Sequence, residues 1–136
     1  MFIKYNMSKI VQIKIFNDIL DQFLDYLEIN FQDFRSDIIL SRSTVEFIRR
    51  SNPRLVVEQY INCVHPFRKH IFNCNEDFFL NFDNLNLENI GFTQDHLVLV
   101  SKVKNIWDSS NINDKQKAYI WLYFQKLIQA GEKVVH

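Results

Sequence analysis

A chain of 136 residues with 47% hydrophobic residues carries enough apolar content for one packed domain. Two glycines and two prolines are too few turn residues for a many-stranded β-sandwich. Sixteen acidic residues against sixteen basic ones exclude a global attraction to nucleic acid or to an anionic membrane. Two cysteines do not make a disulfide framework, which favours a reduced intracellular setting. No run of 18 apolar residues is present to span a membrane, and Lys4, Lys9 and Lys14 interrupt any signal-peptide core. The expected fold is all-α: a single compact bundle of five or six helices packed around the first and the last.

Residues 1–8 read as a flexible N-terminal arm, with Met7 as an alternative start, ahead of a helical domain over 9–136. A first helix is expected over 9–34, where Ile15, Ile19, Phe23, Tyr26 and Leu27 recur at helical spacing. Ser36 or Asp37 can cap a second helix to about Arg50, with Ile38, Ile39, Val45, Phe47 and Ile48 for burial. Asn52 and Pro53 make a strong start for a third helix: Asn accepts a bond from a first-turn N–H, and proline lacks only a donor that has no partner there. Pro66 breaks or restarts that helix, and short turns follow over 67–73 and 76–80. The stretch 81–91 is rich in Asn and poor in periodicity, which predicts one long loop. Thr93 can cap a helix over 94–108. Asn113 and Asp114 open the last helix, Trp121, Phe124 and Ile128 line its apolar stripe together with Lys117, and Gly131 is the expected stop.

Few residues suggest chemistry. Cys63, His65, His70 and Cys74 have zinc-ligand side chains, but only four residues separate the two pairs, whereas zinc sites usually draw ligands from two separated elements. Buried cysteines and partly exposed histidines are the simpler reading, so no metal or other cofactor is expected. Glu76, Asp77 and Asp83 could suggest a carboxylate site, but Glu76 and Asp77 read rather as a first-turn acidic cap ahead of a buried Phe78–Phe79 pair. No nucleophile turn and no glycine-rich phosphate loop occurs, so no catalytic residue is assigned and no small-molecule substrate is expected.

Charge is segregated. Over 35–70, Arg35, Arg42, Arg49, Arg50, Arg54, Arg68 and Lys69 outnumber Asp37, Glu46 and Glu58, while Glu76, Asp77, Asp83, Glu88 and Asp95 stand over 75–100 without a lysine or arginine. Arg49, Arg50, Arg54, Arg68 and Lys69 are therefore the candidate partner-binding residues. An acidic protein surface or a second copy is the first candidate partner. Nucleic-acid backbone, held by Arg49, Arg50 and Arg54, is the alternative, though base-stacking aromatics are not interleaved with these arginines.

Three segments, Asn52–Pro53–Arg54, Glu76–Asp77–Phe78–Phe79–Leu80–Asn81 and Ile120–Trp121–Leu122–Tyr123–Phe124–Gln125, resemble motifs of a small protein family of nucleocytoplasmic large DNA viruses. The resemblance covers most of the chain. It implies a viral origin and a place in the infected host cell cytoplasm or the virion, and it carries no catalytic residue. Together with the charge pattern it leads to the expectation of a non-enzymatic interaction protein of a viral assembly.

Overall fold

The computed structural model describes residues 2–80, 104–108 and 112–136, and every regular element among them is helical. In order these are α1 (Phe2–Asn30), α2 (Arg35–Ser51), α3 (Pro53–Val64), α4 (Arg68–Phe72), α5 (Glu76–Leu80), a helical stretch over 104–108, and α6 (Asp114–Val135). Short 3-10 turns at Gln32–Phe34 and His65–Phe67 join α1 to α2 and α3 to α4. The expected all-α bundle is the fold. Among the described residues no helix is long and apolar enough to cross a membrane. The loop expected over 81–91, Asp83 within it, and the 93–103 part of the next helix lie outside the described residues.

The most extensive contact joins α1 to α6, and the two run antiparallel. Lys9 near one end of α1 donates to the carbonyls of Lys133 and Val134, both at 2.9 Å, and so satisfies acceptors that the end of α6 leaves free. Further along α1, Phe23 meets Tyr123 at 5.1 Å and Phe124 at 5.5 Å, and Tyr26 meets Tyr119 at 5.4 Å. α3 packs against both helices through Val56, Val57 and Ile61. Phe16, Val57, Ile120, Leu127, Ile128 and Val134 are fully buried, each contributing roughly 1.5–3 kcal/mol by leaving water.

Helix starts follow local chemistry where it is strong. The Asn52 side chain accepts from the Arg54 N–H at 3.1 Å with Pro53 in the first turn, and Asn113 forms a reciprocal capping box with Gln116 at 2.8 and 3.0 Å. Several expectations need correction. α1 spans Phe2–Asn30 rather than the expected 9–34, and it ends at Asn30, where Phe31 leaves helical geometry with its ring buried in the core. α2 is entered from the 3-10 turn with Phe34 at the cap position and no side-chain cap, so neither Ser36 nor Asp37 caps it. Gly131 does not stop α6, which continues to Val135. Its missing side chain is instead what lets α3 come close, since Ile61 fills the space where a Cβ would stand.

The end of α4 is unusual. The Asn75 N–H bonds to the His70 carbonyl and the Cys74 N–H to the Ile71 carbonyl, the paired bonds of a Schellman ending, and Cys74 occupies its left-handed position at φ 50°. Asn75 then caps α5, its Oδ1 accepting from the Phe78 N–H at 3.1 Å.

Candidate functional site

The basic residues singled out by charge separate into two kinds. Arg49 is largely covered, its side chain 17% exposed, and its Nη1 donates to Asp21 on α1 at 3.0 Å and to Glu46 at 2.8 Å. Arg54 pairs with Glu58 at 2.7 Å. Arg68 donates to both carboxylate oxygens of Glu132 at 3.0–3.2 Å and covers the ring of Phe72, which ties α4 to α6. Arg50 and Lys69 are exposed and make no ion pair among the described residues. The basic stretch over 35–54 is thus partly neutralised inside the fold: Asp21, Asp25 and Glu28 of α1 face Arg49, Arg42 and Arg35 of α2.

The pairing turns the inner side of α2 toward α1 and α3. At 100° per residue, Phe47 falls well round the helix from Ile38 and Val45, which face the core. Phe47, a burial candidate by sequence, is instead 75% exposed; Leu40, one face-repeat away, is 58% exposed, and Ile39 is exposed beside it. Ile15 of α1, also expected in the core, is exposed for the same angular reason. Ser36, Leu40, Ser43, Phe47 and Arg50 follow one another at steps of four, three, four and three, so they form a single outward seam that is apolar, hydroxylic and free of carboxylates. Leu40 is not a residue that the sequence singles out, yet this spacing is its signal.

Of Cys63, His65, His70 and Cys74, it is His70 and Cys74 that engage neighbouring polar groups. Burial pushes the Cys63 thiol up to about 11. His70 stacks face to face on Phe78 at 3.9 Å, with Nδ1 3.1 Å from the Asn75 amide, while Cys74 Sγ lies 3.4 Å from Gln125 Nε2. His65 is exposed. Among the described residues no three His, Cys, Asp or Glu side chains gather where one ion could bind them.

Glu76 has a structural place as well. Its carboxylate accepts from Lys117 Nζ at 2.9 Å and from the Trp107 indole N–H at 3.2 Å, joining α5, the 104–108 stretch and α6. The Lys117 hydrogen bond first, and the Trp107 one second, hold its carboxyl below the usual 4.5. Lys117 therefore ends the apolar stripe of α6 as the partner of a part-exposed carboxylate, with its ammonium 5.6 Å from the Trp107 ring centre. Trp107 in turn meets Trp121 edge-on at 5.2 Å.

The segments that carry the viral resemblance are thus helix starts and packing residues: Asn52 and Pro53, Glu76, Ile120 and Trp121. Comparison with family models, with curated proteins and with solved structures finds no match to this chain.

Proposed function

We propose that this chain is a non-enzymatic protein–protein interaction module that seats a partner on the outer seam of α2, and that it acts in a viral assembly, in the infected cell or in the particle. The observation that carries the first part is Phe47, a large aromatic side chain 75% exposed beside exposed Leu40 and Arg50. Aromatic and arginine side chains are the groups that most often dominate binding energy at protein interfaces, and an exposed apolar strip rimmed by polar groups is the usual form of a docking surface. Arg50 and Lys69 supply the positive contacts for an acidic partner surface, while Arg49 and Arg68 tie helices together and Arg54 pairs with Glu58 within α3. The viral setting is supported by the resemblance of residues 52–54, 76–81 and 120–125.

The reading on nucleic acid has weaker support, because Arg49, Arg54 and Arg68 already have carboxylate partners and release fewer counterions from a phosphate backbone. The test places a photo-cross-linking benzoylphenylalanine at position 47 in cells that make the protein, with the same probe at exposed Gln129 as background. A cross-linked protein attached through α2 is expected. Cross-linking at position 47 no stronger than at position 129 overturns the reading.

A further inference from the structure

We propose that the partner seated on the outer seam of α2 is a second copy of this chain, with the two α2 helices antiparallel; this rests on reading that seam as a docking surface. The seam alternates in size: Ser36 small, Leu40 large, Ser43 small, Phe47 large. An antiparallel copy set with Ser43 across from Leu40 places Phe47 across from Ser36, so each large side chain faces a small one, as close helix packing requires. The same register brings Arg50 of one copy across from Asp33 of the other. Asp33 is exposed in the turn that precedes α2, and neither it nor Arg50 has an ion pair among the described residues.

Two independent features therefore agree in one register: size complementarity selects the offset, and opposite charges meet at both ends. A two-fold axis through the seam repeats every contact twice, which is the closed arrangement that stops at a dimer. The seam contains no acidic residue to repel its own copy, and the two Arg50 side chains are kept at opposite ends. One helix pair is a small interface, so the dissociation constant is expected in about the micromolar range.

Light scattering of the full chain across a micromolar concentration series tests this. Mass rising from monomer to dimer is expected, with Phe47→Ser weakening association by about tenfold or more while the circular dichroism is unchanged. Arg50→Glu and Asp33→Arg are each expected to weaken the dimer, and the two together to restore it, a rescue that general loss of folding does not produce. A monomer at every concentration, or a dimer indifferent to Phe47→Ser and to the charge exchange, overturns the proposal. A monomer whose position-47 cross-linker nonetheless captures a different protein overturns self-pairing and leaves the docking surface standing.

Discussion

Gly131 of α6 lies directly against Ile61 of α3: a Cβ at position 131 would stand 2.6 Å from Ile61 Cδ1 and 2.8 Å from its Cγ1. Phe16 of α1 is 3.4 Å from the same point, so the glycine marks where the three main helices converge. In a solvent-facing helix, Gly→Ala would gain about 1 kcal/mol of propensity. Here the new methyl must displace a buried side chain, and overpacking of this kind costs about 1–3 kcal/mol. Gly131→Ala is therefore expected to lower stability by about 1 kcal/mol net. Adding Ile61→Val, which removes Cδ1 but keeps the γ-carbon, is expected to recover part of that loss. Urea titration of the two single variants and the double variant checks the coupling.

Neighbouring arginines on α2 are expected to behave differently. Arg49→Ala removes a largely covered side chain and leaves Asp21 and Glu46 without their shared cation, for an expected loss of about 1–2 kcal/mol. Arg50→Ala changes an exposed residue outside the ion-pair network and is expected to stay within about 0.5 kcal/mol. Equal effects in thermal melts would contradict the division of the basic residues into those that hold the fold and those that face outward.

Cys74 holds a left-handed backbone that glycine adopts without penalty. The left-handed position costs a residue with a Cβ about 1–2 kcal/mol, and glycine returns part of this gain as chain entropy. Cys74→Gly is expected to raise stability by up to about 1 kcal/mol, whereas β-branched Cys74→Val is expected to lower it. Denaturant midpoints of the two variants against the parent chain decide the sign.

The same cysteine separates from Cys63 in reactivity. With its thiol pushed up to about 11 and partly buried, Cys63 is expected to react with iodoacetamide near pH 8 only on unfolding, while exposed Cys74 reacts in the native protein. Peptide mapping after a timed pulse reads both sites.

Glu76 gives the fold a pH dependence with a definite sign. Its folded value lies below the usual 4.5, so its contribution is present above that pH and is lost as pH falls through the lowered folded value. Wild type is expected to be more stable than Glu76→Gln near neutrality, and the gap is expected to close in acid. Denaturant midpoints of the two proteins measured from neutral to acid pH check this; a gap that widens in acid would refute the assigned role. Glu76 is part-exposed, so solvent screening keeps the effect modest.

Features set by neighbouring residues along the chain are legible in the sequence. Helical spacing leads to the all-α fold, and the caps at Asn52 with Pro53, and at Asn113, form at their expected places because a cap needs only residues two or three positions away. The charge segregation of 35–70 is equally plain, but which charges it leaves free is not. That depends on α1 lying alongside α2 with Asp21, Asp25 and Glu28 in register, a relation between residues well separated along the chain.

The angular position of each helix is likewise a tertiary matter. α2 carries apolar residues on both sides, so its pattern is satisfied whether Val45 or Phe47 faces inward; packing on α1 and α3 decides for Val45 and leaves Phe47 outside. Gly131 and Cys74 exchange their expected parts for the same reason. A local pattern says where a helix can end, but the approach of Ile61 carries α6 through its glycine, and the turn from α4 into α5 places a cysteine where glycine would be easier. Local hydrogen bonding and periodicity thus determine what the chain forms, and contacts between distant segments determine which side chains are left to meet another molecule.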